Sequence, residues 1–369
     1  MSYFNYKIII ISIVCLLGSY NMSSSAKSYP YIIEAGSPNS YPMVYSFEGN
    51  YFFDAQGKAF LNFTTPGGGS NVFWGYGTQA TQLSEINPLP YGINVRWFSA
   101  LEDQFWEGRY IFKQDMLQKL PDHIVDNLLF RTKVPFARFF KFKVYVVTGG
   151  LVTVWAAAEG EQYLVGQFYA KKMINKPDWD DFYKQSINPM ASIAKPKQDY
   201  IDEITQRSNE FIKKLLNGKA EKFNIEQQEP YTAQPWLRTM KGYYWKLELN
   251  NSFELKDYLA WYVNGEKIFT YFGDDQLAVK RAVPYDFTMY FEDKNNNNEL
   301  ERADFILDPD EVMQAFQEFE LIPPLDTPIT LFVDIQPDYK KIFFYVVKGN
   351  KRVKLNKILK AQRHDLYNN

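Results

Sequence analysis

Carboxylates set beside tryptophans are the residues in this chain whose types and spacing could do chemistry. Glu102, Asp103 and Glu107 stand within a few positions of Trp97 and Trp106. Two carboxylates across a Trp-lined cleft are the equipment of a glycoside hydrolase, with Glu102 or Glu107 as the acid. Further carboxylates occur at Asp180 and Asp181 and at Asp274 and Asp275. A chain this acidic and aromatic supplies such neighbours by composition alone, so the pairing by itself names no site. The run Asp293 to Glu299 places Asp293, Asn295 and Asn297 at the first, third and fifth positions of a calcium-loop pattern, with Asp304 at the twelfth. Asn298 stands where that loop wants Gly, and the flanks read as strands rather than helices, so a solvated hairpin loop is expected and no metal site. Thr65 to Asn71 is rich in glycine but lacks the Gly-Lys-Ser/Thr ending that would hold a nucleotide phosphate. No Gly-x-Ser-x-Gly elbow is present. Only two histidines, His123 and His364, are available, which leaves little material for zinc or imidazole chemistry. No catalytic residue and no cofactor are expected.

Bulk properties narrow the class further. The 369 residues are 46% hydrophobic and 23% charged, ordinary values for a globular chain with a sizeable core. Aromatic content is the outlier, with 30 Phe, 27 Tyr and 8 Trp, and aromatic residues favour strands and interfaces. A net charge of -2 is not the basic footprint of a nucleic-acid binder.

The elements that must position these residues are mostly strands. Pro88 to Phe112 organises the chain. Ile93, Val95 and Trp97 alternate with Asn94 and Arg96, the period of a half-buried strand, and a second aromatic strand follows the acidic break at Leu101 to Gln104. Hairpins are expected at Tyr51 to Phe63 around Asp54-x-x-Gly57, at Thr148-Gly149-Gly150 between strands 139–147 and 151–156, and at Asn264-Gly265. Lys141 and Lys143 mark the solvent face of the first strand at the glycine turn. A basic patch with Arg131, Lys133 and Arg138 is the sharper alternative. Residues 198–216 carry Ile201, Ile204, Phe211, Ile212, Leu215 and Leu216 at helical spacing, and Asp308 to Glu311 caps a short helix over 312–319. The tail 351–369 reads as a surface helix or a fray, and Lys27 to Asn50 as an extended lead-in that packs by its aromatics. The fold class is α+β and predominantly β, with antiparallel, sandwich-like sheets and one long amphipathic helix covering a sheet face. Glu221 to Arg238, polar and proline-marked, places a boundary between a β-rich domain over 27–225 and another over 226–369.

The first 26 residues carry an address. Lys7 precedes the apolar run Ile8 to Gly18, too short to span a bilayer, and Ser24-Ser25-Ala26 offers the small residues a signal peptidase prefers. The mature chain is expected in the periplasm or outside the cell, without a transmembrane domain, or held at the membrane by an uncleaved N-terminal segment. Cys15 is the single cysteine; Val14 before it is wrong for a lipobox.

Two blocks carry a resemblance. Leu89, Pro90, Gly92, Ile93, Val95, Arg96, Trp97 and Ser99 fit a Leu-Pro-x-Gly-Ile-x-Val-Arg-Trp-x-Ser pattern, and Gly149, Gly150, Val152, Val154 and Trp155 a Gly-Gly-x-Val-x-Val-Trp pattern. In these the chain resembles the DUF2931 family, exported bacterial proteins of unknown function that are often described as lipoproteins. The likeness is closest from Phe52 to Tyr183 and looser to Phe319; Val14 departs from the lipoprotein members. The family brings no activity, cofactor or catalytic residue. Its members lie near type VI secretion genes, which implies an immunity role, that of an exported protein that binds and blocks a toxic effector. The expectation is therefore a non-catalytic binding protein, with Arg96, Trp97, Glu102 and Trp155 as binding residues. Arg96 with Glu102 is the pair to act if a polar group here is functional, and a cross-strand ion pair beside a buried Trp97 is the plainer reading. An envelope protein that binds or cleaves carbohydrate is the alternative.

Overall fold

The computed structural model describes residues 28–38, 41–45, 48–63, 80–118, 140–158, 161–217, 230–270, 278–294, 299–336 and 341–365. The N-terminal address with Cys15, the glycine-rich loop at 65–71, His123, the arginines and lysine of the expected basic patch, Asp274, Asp275 and Asn295 to Asn298 lie outside the described residues. No helix among the described residues is long and apolar enough to cross a membrane.

The chain enters as β1 (Ser28–Gly36), makes the short strands β2 (Met43–Tyr45), β3 (Tyr51–Phe53) and β4 (Ala59–Asn62), and returns as β5 (Ala80–Pro88). The hairpin of β6 (Gly92–Ser99) and β7 (Gln104–Ile111) follows. Then come β8 (Phe140–Val146), β9 (Leu151–Ala158), β10 (Glu161–Tyr169) and the two-residue β11 (Lys171–Lys172). Helices α1 (Trp179–Phe182), α2 (Lys197–Asn217) and α3 (Gln234–Met240) lead to β12 (Tyr243–Leu249), β13 (Phe253–Tyr262), β14 (Lys267–Thr270), β15 (Val279–Arg281), β16 (Pro284–Asp293) and β17 (Glu299–Leu307). After α4 (Pro309–Glu320) the chain ends in β18 (Ile329–Ile335), β19 (Ile342–Lys348), β20 (Lys351–Leu355) and β21 (Ile358–Asp365).

The protein is β-rich. A ten-stranded sheet has the order β21-β17-β16-β13-β14-β10-β9-β8-β1-β5. A six-stranded sheet has β11-β7-β6-β3-β4 with β2 beside β6, and a five-stranded sheet has β15-β12-β18-β19-β20. Pairing among the described residues is antiparallel apart from β1 with β8 and β12 with β18. The ten-stranded sheet passes from the first set of strands to the second where Gln162 of β10 meets Lys267 of β14.

Local chemistry accounts for the turns. The Asp54 carboxylate accepts from Gln56 and Lys58 N–H and closes the β3–β4 hairpin. Asp308 accepts from Glu311 N–H and Pro309 sits in the first turn of α4, so that helix begins where its sequence says it should. Two cores follow from the alternation of the strands. Ile33, Phe142 and Val154 of the large sheet meet Phe52, Val95 and Trp97 of the six-stranded sheet. Phe287 and Phe305, farther along the large sheet, meet Leu331 and Phe344 of the five-stranded sheet, with Phe316 of α4 in the same cluster.

Several expectations are corrected. The tail is not a helix: β20 joins the five-stranded sheet, and β21 pairs with β17 at an edge of the large one. The lead-in, by contrast, is extended and packs by its aromatics as expected, with Tyr31 and Tyr41 buried; what the sequence did not announce is that β1 within it is an interior strand. The polar stretch 221–238 runs into α3 (Gln234–Met240), whose Trp236 is buried in full. Of the α2 stripe, Tyr200 and Ile204 are buried against Phe98 and Phe105 of the β6–β7 hairpin; the side chains of Phe211, Ile212, Leu215 and Leu216 lie outside those described.

Lys143 is corrected too. Lys141 keeps to the solvent side and pairs with Glu34 at 2.9 Å, but the Lys143 side chain is only 13% exposed, with its nitrogen 4.0 Å from the other Glu34 oxygen. Burial pushes the Lys143 ammonium down to about 8, against the pull of Glu34 and with the help of Lys141 and Lys267. Between about 8 and its ordinary value of 10.5 the unfolded chain keeps a proton that the folded chain has released, so this residue makes stability rise with pH. Lys143→Met should stabilise the protein at neutral pH by on the order of 1–3 kcal/mol. It should also flatten the rise above about pH 8, as read by urea unfolding at a series of pH values. An unchanged slope in the variant would refute the assignment.

Candidate functional site

The expected binding residues do not converge on one surface. They fall around a three-residue turn, Thr148 to Gly150, that joins β8 to β9. Trp97 and Trp106 face each other across the β6–β7 pair and stack with ring centroids 6.0 Å apart. The Trp97 indole N–H donates to the Tyr41 hydroxyl at 3.0 Å, and that hydroxyl donates to Glu102 Oε2 at 2.7 Å. The Trp106 indole N–H donates to the same oxygen at 3.2 Å. Glu102 Oε1 accepts from Gly149 N–H at 2.8 Å. Both oxygens of the carboxylate are thus engaged by donors that belong to the scaffold. Burial, and then the charge of Glu102, push the Tyr41 hydroxyl well above its ordinary value, which keeps it a donor.

Arg96 is not part of this network. It pairs with Glu107, its cross-strand neighbour, at 3.1 Å, and the pair is open to solvent. The plainer reading, a cross-strand ion pair beside a buried Trp97, is what the structure has, while Glu102 is not the partner: residue 96 points to the opposite face of β6 from Trp97. A half-exposed pair of this kind contributes little stability. Trp155, also fully buried, lies on the far side of the turn. Its indole N–H donates to the Asn264 carbonyl at 3.2 Å and its ring meets Tyr145 edge-on at 5.2 Å. The same cluster takes in Trp236 of α3. The Trp236 indole donates to Thr148 Oγ1, whose hydroxyl donates to the Thr232 carbonyl. Tyr41 and Trp236, and the bond that the expected turn residue Gly149 makes, escaped sequence reasoning because the bonded atoms lie 61, 88 and 47 positions apart, and no local pattern links them.

Two surface features stand outside that joint. A groove of about 570 Å³ runs between the β6–β7 turn and α2, with Ala100, Leu101 and Ile201 on its apolar side and Asp202, Gln206 and Glu210 on the helix. Neither Glu102 nor any tryptophan lines it.

The second feature is the segment from Lys171 to Lys197. Met173 N–H donates to the Phe105 carbonyl at 2.9 Å and ties the segment to β7. Asp178 caps α1 by accepting from Asp180 and Asp181 N–H. The Trp179 indole donates to the Lys195 carbonyl at 2.8 Å. Met173, Trp179, Ala191 and Ala194 pack inward on Phe98, Phe105 and Phe182. Their neighbours point the other way: Ile174 is 94% exposed, Met190 94% and Ile193 81%. Lys195 pairs with Glu203 and Lys197 with Asp103. Lys171, Lys172 and Lys176 are exposed and join no ion pair among the described residues. Single exposed apolar residues are ordinary. Three on the rim of one packed aromatic cluster, beside unpaired lysines, form the strongest candidate for a contact surface in this half of the chain.

Two substitutions test the joint. Glu102→Gln keeps the shape but turns an N–H towards a donor, and should cost about 1–3 kcal/mol. Gly150→Ala should cost about 2–5 kcal/mol, since Gly150 has φ +73 and a Cβ there would lie 2.6 Å from the Trp106 ring. Urea unfolding of both variants measures this; wild-type midpoints would remove the joint from the architecture.

No curated protein and no solved structure matches the chain. The family model described as a protein of unknown function (DUF2931) matches residues 19–214. That is more than half of the chain and takes in both sequence blocks around the Glu102 joint, and the protein is a member of the DUF2931 family.

Proposed function

We propose that the protein is an exported, non-catalytic binding protein whose partner is another protein, in the role of an immunity or inhibitor protein that captures a secreted toxic effector. The observation that carries the reading is the lysine-flanked apolar rim at Ile174, Met190 and Ile193. Adaptable apolar side chains at the centre of an interface supply most of its energy, and cations around them favour an acidic partner and speed encounter. In this reading α2 covers the outer face of the β6–β7 hairpin and backs the rim. The halves 27–225 and 226–369 act together as one scaffold. Export rests on the N-terminal address: the mature chain starts near Lys27 in the periplasm or outside the cell, or stays at the membrane through its first residues.

The carbohydrate alternative asks for open tryptophan faces and a free carboxylate. Trp97 and Trp155 are buried and both oxygens of Glu102 are occupied, so nothing at the expected residues speaks for it.

The test is calorimetric titration of the full chain with the effector encoded beside its gene. Binding at nanomolar strength is expected, together with a loss of about a hundredfold in an Ile174→Asp, Met190→Asp, Ile193→Asp variant. The thermal midpoint of that variant should match the wild type, because these side chains pack on nothing. No heat of binding, or wild-type affinity in the variant, would overturn the reading.

A further inference from the structure

The five-stranded sheet ends at β20, whose sequence is Lys-Arg-Val-Lys-Leu. Among the described residues no strand pairs with its outer edge. Val353 and Leu355 face the core, Leu355 buried in full, while Arg352 and Lys354 lie on the opposite, outer face. The hairpin from β19 turns through Gly349 and Asn350 and pairs Lys348 with Lys351. In a two-residue hairpin the pair flanking the turn is hydrogen-bonded, and bonding alternates from there. Lys351, Val353 and Leu355 therefore direct their backbone groups to β19. Arg352 and Lys354 direct theirs to the free edge. The two residues whose backbone groups face the edge are the two that put cations on the outer face; of those groups the Lys354 carbonyl already accepts a long 3.4 Å bond from the Asn356 amide, which an added strand would displace.

Those cations are held in place. The Arg352 guanidinium lies 3.5 Å over the Tyr345 ring and 5.1 Å from that of Phe332. The Lys354 nitrogen lies 4.1 Å over Phe343. Other cations in this part of the chain meet carboxylates, as Lys246 does Glu248, Lys241 Glu320 and Arg238 Asp310, or rings, as Lys351 does Phe319 and Lys267 Trp261. Arg352 and Lys354 join no ion pair among the described residues. A lysine on an edge strand is an ordinary defence against unwanted pairing, and a mobile side chain suffices for that. A guanidinium laid flat on a ring presents its N–H rim in a fixed direction, the arrangement that receives a carboxylate in two-point fashion.

We propose that the free edge of β20 takes an extended acidic peptide segment as an added strand, whose carboxylates at alternate positions reach Arg352 and Lys354. Backbone bonds to the edge supply affinity and the alternating carboxylates supply choice, because side chains two apart on an added strand fall on one face. Directly opposite side chains in an antiparallel pair come within about 5 Å, inside the reach of both cations. The site lies beyond the family-matched region and does not depend on the reading proposed for the rim at Ile174.

The test uses the full chain and fluorescently labelled seven-residue peptides alternating Glu with Val, against peptides alternating Lys with Val and against the acidic peptide N-methylated at every second residue. Fluorescence anisotropy should show the acidic peptide binding in the micromolar range and both controls at least about tenfold weaker. Arg352→Glu with Lys354→Glu should weaken the acidic peptide by about tenfold or more and strengthen the basic one, while the chain stays folded with only a small fall in thermal midpoint from the lost ring contacts. The Ile174 rim variant should bind the acidic peptide as the wild type does. Equal binding of acidic and basic peptides, full binding of the N-methylated peptide, or no binding to the wild type would each overturn the proposal.

Discussion

The architecture hangs on a turn that has no room for side chains. Gly149 and Gly150 both adopt positive φ, and at each a Cβ would lie 2.6 Å from a neighbour, the Ala233 backbone nitrogen in one case and the Trp106 ring in the other. That close approach lets three bodies meet at one point. The six-stranded sheet arrives through Glu102 and Trp106, the large sheet through the β8–β9 turn itself, and α3 through Ala233 and Trp236. A carboxylate at such a point would be costly if left alone. Here its oxygens accept from Tyr41, Trp106 and Gly149, so most of its hydrogen-bonding capacity goes to holding the pieces together.

This explains why the residues that look functional by type are not free to function. Tryptophans beside glutamates suggest sugar chemistry when read along the chain. In three dimensions Trp97 and Trp155 are core side chains whose indole N–H groups need acceptors, which the Tyr41 hydroxyl and the Asn264 carbonyl supply. The side chains open to a partner are less conspicuous in sequence. Ile174, Met190 and Ile193 sit in turns without periodicity, and only burial distinguishes them from their inward-packed neighbours Met173, Ala191 and Ala194.

The sequence was most legible where one periodicity and one turn signal coincided. The alternation of Ile93, Val95 and Trp97, the Asp54 hairpin, the two-glycine turn and the Asn264-Gly265 turn all lie where the pattern puts them. The Asp308 cap is equally direct. Legibility failed where the deciding contact was distant. In Lys351 to Asp365 the alternation is short, Val353 and Leu355 against Arg352 and Lys354, and it is set among many charges, which β20 and β21 carry as the end strands of their sheets among the described residues; such a run resembles a solvated helix. β1 was hidden by its tyrosines and prolines, yet it lies between β5 and β8 and is held by their ladders. Lys143 looked like a surface residue by parity; Glu34 on the paired strand gives it a reason to be inside.

The same distant contacts bear on how far the family-matched region stands by itself. The match ends at residue 214, inside α2, but the buried polar groups of the matched strands find their partners beyond it. The Trp155 indole donates to Asn264, the Gln162 amide donates to the Gly265 carbonyl at 2.6 Å, and Leu164 N–H donates to Glu266 at 3.1 Å. All three acceptors belong to the single turn between β13 and β14. Burial pushes the Glu266 carboxyl up, against the hydrogen bonds of Asn264 and Leu164 N–H. A chain cut at 214 would leave an indole, an amide and a backbone N–H without acceptors, and would uncover Trp155 where Trp236 now packs. Water would then have to replace these acceptors, and the apolar surface around Trp155 would lose its cover at about 25 cal/mol per Å². The family-matched strands and the strands that follow them are therefore joined through satisfied polar groups as well as through a continuous sheet. A relative that lacked the second half would need other acceptors at positions 155, 162 and 164.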